Sequence, residues 1–156
     1  MFNKNHNKIN NNSFLKDIDF KCQKCSVCCR IYPGAVYLTN KDILKILKFL
    51  KINKLDFFKK YCRPVDKNGI KLLSLKEKSN FDCIFWNNGC LIYSARPTQC
   101  STYPFWPSVI RSKERWNEEA KHCKGINKKG NLTFKQKVKF FITEKKAIYV
   151  EYPKNL

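Results

Sequence analysis

The stretch CQKCSVCC, residues 22–29, sets four thiols, Cys22, Cys25, Cys28 and Cys29, within eight positions. Such crowding leaves few roles open. A gap of two residues lets a tight backbone loop turn both sulfurs toward one centre and aim amide N–H groups at them, which is why CxxC recurs in zinc knuckles, iron–sulfur loops and redox motifs. A third cysteine in the same rhythm makes the pattern much more specific. Cys29 is the odd member, because neighbouring side chains diverge and are not expected to take adjacent corners of one tetrahedral ion. It would serve a second metal, a different corner of a larger cluster, or nothing.

Disulfides are the competing use for a chain with nine cysteines. An odd count and thiols three residues apart fit poorly with a staple framework. Cys28 and Cys29 would bridge each other only through a strained local ring. The polar, Asn-rich start MFNKNHNKINNNSF does not resemble a secretory signal, and no apolar run approaches the ~18 residues of a membrane span. A soluble, cytoplasmic protein is expected, and a reducing compartment favours metal ligation over disulfides.

The formal net charge is +20, carried by 32 basic residues of which 27 are Lys. A dense cationic surface gains free energy by displacing counterions from phosphate, so nonspecific polyanion binding is one expectation. Lysines spread along the whole chain nevertheless read first as solvated faces. No specific partner and no oligomeric state follow from the sequence.

Periodicity organises the remainder into one small, irregular α+β domain centred on metal, with short helices and a β-hairpin. Residues 1–19 lack a pattern and are expected to be a flexible lead-in to a cysteine-cluster domain over 20–126. A C-terminal helix in 127–156 is expected to lie on the same domain. From Thr39, with Asp42 three residues on, Ile43, Leu44, Leu47 and Leu50 predict a capped, core-facing helix. A second helix is expected from Asn53 to about Arg63, with Cys62 in its last turn before Pro64. IKLLSL, residues 70–75, is strand-like. FDCIFWNNGCLIY, residues 81–93, predicts a hairpin turning at Asn88-Gly89, which would bring Cys83 and Cys90 together on neighbouring strands. Ser94 is expected to cap a short helix with Pro97 early and Cys100 late, ended by Pro104 and Pro107. Thr133 and Gln136 predict a final capped helix burying Phe134, Val138, Phe141 and Ile148.

The run CxxCxxCC, then DCIFWNNGCLIYSARPTQCSTYPFWP, then HCKGI, resembles the YkgJ-type cysteine-cluster family of zinc- or iron-chelating domains over roughly residues 20–126. The resemblance implies a ligand set of Cys22, Cys25, Cys28, Cys29, Cys83, Cys90, Cys100 and Cys123. Cys62 falls outside that pattern and reads as a buried thiol at a helix end. A similar cluster occurs in flagellin lysine methylases with an iron–sulfur centre, which tilts the expectation toward iron.

The ligands themselves admit two metals. Eight thiolates would fill two closed tetrahedral zinc sites, whereas four would hold one [4Fe–4S] cluster. An iron–sulfur cluster is the preferred expectation and zinc the alternative. Arg30 and Arg96 are candidates to stand beside the cofactor, where a guanidinium favours thiolate and donates hydrogen bonds. Tyr93, Tyr103, Phe105 and Trp106 read as a packed shell that excludes water, and His122 as a surface histidine rather than a substitute ligand.

No GxGxxG, phosphate loop, GxSxG or HExxH is present, so nucleotide cofactors and common hydrolytic designs have no home. A nucleophilic cysteine would need a base, and only His6 and His122 are available. The leading expectation is a metal-binding protein with a structural or redox centre. The alternatives are a transferase or redox enzyme using the cluster, and a nucleic-acid-associated zinc module.

Overall fold

The computed structural model describes residues 11–156, with side chains from Ser13 onward. Residues 1–10 of the expected lead-in, His6 among them, lie outside the described residues. In chain order the elements are α1 (Asn11–Asp17), α2 (Asn40–Leu50), α3 (Lys54–Tyr61), β1 (Cys62–Lys67), β2 (Ile70–Leu75), α4 (Thr98–Thr102), α5 (Pro107–Ile110), α6 (Lys113–Ala120) and α7 (Phe134–Lys145). Single 3₁₀ turns occupy Val27–Cys29 and Tyr93–Ala95. This is the small, irregular α+β class expected. Among the described residues no helix is long and apolar enough to cross a membrane.

Side-chain caps set the helix starts. Thr39 and Asp42 form the full capping box of α2, and Asn53 accepts from the Asp56 N–H to open α3. Ser112 does the same for α6, while Thr133 and Gln136 exchange hydrogen bonds at the start of α7. Each satisfies an N–H that the first turn leaves without an intrahelical acceptor.

The backbone divides into two compact units along lines different from the expected boundaries. One comprises Met1–Cys25 and Pro104–Lys145, the other Ser26–Tyr103 and Lys146–Leu156. The first is helical. Leu15 and Ile18, from the stretch expected to be a flexible lead-in, are buried with Phe105, Val109, Trp116 and Phe141. The buried Lys137 ammonium donates to the Ile18 carbonyl just past the end of α1, where the helix presents partial negative charge. The cap expected at Thr133 is present, but Phe134 is partly exposed and Ile148, beyond the end of α7, is 85% exposed.

The second unit is built around an antiparallel pair. Strand β1 runs beside β2 in a register from Cys62↔Leu75 to Lys67↔Ile70. The two-residue link Asn68-Gly69 takes positive φ at both positions, 56° and 84°, the combination that matches the right-handed twist of a hairpin. Pro64 sits in β1, an edge strand that needs donors on one side only. The other edge of β2 is met by short bridges: the Leu38 N–H donates to Leu73, the Leu75 N–H to Val36 and the Leu73 N–H to Val150.

The expected hairpin at 81–93 is thus misplaced. Its Asn88-Gly89 turn does form with positive φ, 50° and 145°, but only the isolated bridge Trp86↔Cys90 spans it. Against the β1–β2 pair pack Ile43 and Ile46 of α2 and Phe57 of α3. Leu44, expected on the buried face of α2, is 69% exposed, because the inward stripe is centred on Asp42, Ile43 and Ile46.

Candidate metal centre

The two units divide the cysteines between them. Cys22, Cys25 and Cys123 belong to the first, and Cys28, Cys29, Cys83, Cys90 and Cys100 to the second, so the boundary at Cys25–Ser26 cuts through the CxxCxxCC run.

In the second unit three chain segments deliver thiols to one neighbourhood. The first is the 3₁₀ turn Val27–Cys29, entered through left-handed Ser26 and closed by the Cys29 N–H donating to Ser26 at 2.8 Å. It sets the Sγ atoms of Cys28 and Cys29 3.9 Å apart. The divergence expected of neighbouring cysteines does not occur here.

The second segment is the loop around Asn88-Gly89. The Cys83 N–H donates to the Cys29 carbonyl at 2.7 Å, tying this loop to the turn, and the bridge at Trp86 returns Cys90 alongside. The third is α4, which carries Cys100. Its first turn is held from outside: buried Asp42 accepts from the Thr98 N–H and hydroxyl at 2.8 and 2.9 Å while also capping α2. Gln99 accepts from the Tyr37 N–H and donates to the Ala35 carbonyl, each at 2.8 Å. Ser94, expected to cap this helix, lies instead in the preceding 3₁₀ turn, and Pro107 opens α5 rather than ending a helix.

Thiol titration follows from this crowding. The Cys28 thiol is lowered to about 7, chiefly by the hydrogen bond from Cys29. Cys29 is raised by that same hydrogen bond, by burial and by the charges of Cys28, Cys100 and Cys83. Burial pushes Cys83, Cys90 and Cys100 up. Cys100 also feels Cys83, Cys28 and Cys90, so all five thiols lie within one another's electrostatic reach. Among the described residues no three Cys, His, Asp or Glu are already closed around a point that could hold a metal ion. Each thiol swings about a single side-chain torsion between staggered wells, so closure asks for rotamer changes rather than refolding.

Arg96 stacks on the Tyr93 ring at 4.1 Å and lowers Cys90 by its charge. Arg30 lies 4.0 Å over the Trp86 ring and 3.5 Å from Asp82. Arg30 Nε and Trp86 Nε1 are nevertheless buried without a hydrogen-bond acceptor, an uncommon state for buried donors. Of the aromatic shell expected to exclude water, Phe105 is buried in the first unit, while Tyr93 is 61% exposed.

In the first unit the backbone leading into Cys22 is pinned beside Cys123. Phe20 bridges Ile126, and the Lys21 N–H donates to the Gly125 carbonyl at 3.0 Å. A Cβ on Gly125 would lie 2.5 Å from the Lys21 carbonyl oxygen, and one on Gly130 would collide with the Phe20 carbonyl. Both positions therefore require glycine for close approach. Cys123 follows α6, its N–H donating to Glu119, and is half-buried, whereas Cys22 and Cys25 are exposed. Cys62 stands apart from the other thiols, 1% exposed in the hydrophobic core at the start of β1.

Sequence reasoning missed two positioning residues, Gln99 and the second role of Asp42. The capping box announces Asp42 locally, but nothing in a linear pattern announces that the same carboxylate reaches Thr98.

No solved structure matches this chain. An uncharacterized protein of Methanocaldococcus jannaschii is 32% identical over 125 residues, covering 76% of this chain and 64% of that protein. The chain thus spans less than two thirds of the length of this relative. The profile of the CxxCxxCC family, described as "Putative zinc- or iron-chelating domain", matches residues 21–124. With that match over most of its length and with its clustered thiols, the chain belongs to the CxxCxxCC, YkgJ-type family of zinc- or iron-chelating domains.

Proposed function

We propose that this chain holds its metal through Cys28, Cys29, Cys83, Cys90 and Cys100, and that the centre is structural or redox-active. The observation that carries the reading is the gathering of five thiols from three separate segments, fixed by the Cys83–Cys29 hydrogen bond and by Asp42 and Gln99 around Cys100. An all-sulfur donor set suits zinc or iron–sulfur and disfavours hard ions such as magnesium or calcium.

Chemistry supports the same conclusion. Five free thiols gathered this way stay largely protonated, since burial raises three of them and the Cys28–Cys29 pair shares one proton readily. A cation at their centre supplies the charge that makes several buried thiolates tolerable, and binding would release their protons. The unsatisfied N–H groups of Arg30 and Trp86 then find an electron-rich acceptor nearby. When bound, zinc supplies a fixed cross-link and an iron–sulfur centre supplies one-electron transfer. Cys22, Cys25 and Cys123 complete the ligand set that the family resemblance implies, and their share in the centre belongs to the same proposal.

The test is metal and acid-labile sulfide analysis of protein purified without oxygen, beside Cys83→Ser and Cys100→Ser. Stoichiometric metal in the parent and its loss in both variants supports the reading. Parent protein free of metal, or variants that keep full occupancy, would refute it.

A further inference from the structure

We infer that Cys28 and Cys29 occupy two corners of one and the same metal ion, so that the centre they serve is mononuclear rather than a cubane cluster. The inference rests on the metal-binding reading above and concerns how its sulfurs are shared.

Adjacent residues of an extended chain point to opposite faces, and such a pair would reach different sites. Here the backbone forbids that arrangement. The turn Val27–Cys29 has the tight 3₁₀ winding, in which successive side chains are about 120° apart around the axis. It is fastened at both ends, by the Cys29 N–H to Ser26 at 2.8 Å and by the Arg30 N–H to Val27 at 3.2 Å. From a different segment, the Cys83 N–H holds the Cys29 carbonyl. Within this frame the two Sγ atoms approach to 3.9 Å.

That distance has a direct reading in coordination geometry. A tetrahedral ion with metal–sulfur bonds of about 2.3 Å has sulfur–sulfur edges of about 3.8 Å. Cys28 and Cys29 already span such an edge without any change of backbone. In a [4Fe–4S] cluster each cysteine takes its own iron, so ligand sulfurs stand apart by more than a single ion's edge. Cys28 and Cys29 could serve a cubane only by breaking their pairing. One edge leaves two corners open, and Cys83, Cys90 and Cys100 are in reach of the pair.

X-ray absorption of the oxygen-protected protein, with a sulfide assay on the same sample, tests this on the unaltered chain. The expected result is a sulfur shell without short metal–metal scattering and no acid-labile sulfide. Cobalt(II) loaded onto the demetallated protein gives a second readout: Cys28→Ser and Cys29→Ser should each shift the same tetrahedral absorption bands and weaken cobalt binding at least tenfold. Acid-labile sulfide with short iron–iron scattering would overturn the mononuclear assignment while leaving metal binding intact. A Cys29→Ser protein with unshifted cobalt bands would overturn it as well. If either variant fails to fold, absorption by the parent protein decides alone. Absence of any metal would sink the underlying reading and this inference with it.

Discussion

The chain contains two Asn-Gly dipeptides that turn the backbone with positive φ, and they end in different structures. Asn68-Gly69 closes six paired residues on each side, whereas Asn88-Gly89 closes a loop spanned by one bridge. Turn chemistry is the same in both. What differs is the flanking sequence: Ile70–Leu75 turns Leu73 and Leu75 into the core, so its ladder is stabilised by apolar burial on the folded side. The Asn88-Gly89 loop instead spends its flanks on Cys83 and Cys90, the first tied to the Cys29 carbonyl and the second bridged to Trp86. Phe85 and Ile92 anchor this loop, with Phe85 stacked on Tyr61 at 4.7 Å, but no ladder defines its course between them. One hairpin is organised by hydrogen bonds and burial, and the other loop is proposed to be organised by metal.

The largest expected effect separates these two modes. Removing the metal with a chelator should forfeit binding free energy of order 10 kcal/mol, the scale of structural thiolate sites. Hydrogen exchange should then quicken in residues 27–29 and 81–93 while amides of β1 and β2 stay protected. Equal loss in both regions would erase the distinction.

The two glycines should part in a second way. Alanine at Gly69 (φ 84°) or Gly89 (φ 145°) meets no neighbouring atom yet forces an L-residue into a disfavoured backbone region, at about 1–3 kcal/mol each. Gly69→Ala should lower the melting temperature with metal content unchanged, and Gly89→Ala should lower both. Identical metal content in the two variants would argue against a metal-organised loop.

The smallest effect concerns Cys62, which lies at the start of the ladder-built hairpin and is pushed up to about 12 by burial. Because its folded value is raised above the ordinary 9.0, the stability it contributes is complete below pH 9 and drains away as pH climbs toward 12. Cys62→Ala should cost about 1 kcal/mol at neutral pH, leave metal content unchanged and flatten that alkaline loss. Thiol labelling of the native protein should reach Cys62 last. Metal loss in this variant would place Cys62 among the ligands and undo its assignment to the hydrophobic core.

Much of the helical frame was legible because caps are local. Thr39 with Asp42, Asn53, and Thr133 with Gln136 mark helix starts within four residues, and all are used. The face a helix buries is not local: Ile43 and Leu44 are neighbours of equal apolarity, and only the position of the β1–β2 pair decides which goes inward. Helix α6, KERWNEEA, went unread because Trp116 is its only large apolar residue, too little for a period. Pro64 disguised β1, since a proline reads as a break unless the strand is known to be an edge. The thiols were legible as a family motif, but not their division between two units or the 3₁₀ turn that pairs Cys28 with Cys29. Those depend on a left-handed Ser26 and on a hydrogen bond from Cys83, more than fifty positions away.

Native mass spectrometry of the oxygen-protected protein, compared with the same sample denatured in acid, tests the metal centre most directly. The native ion should exceed the polypeptide mass by the mass of bound metal, and acid should return it to the polypeptide alone. Native and denatured masses that agree would contradict the account.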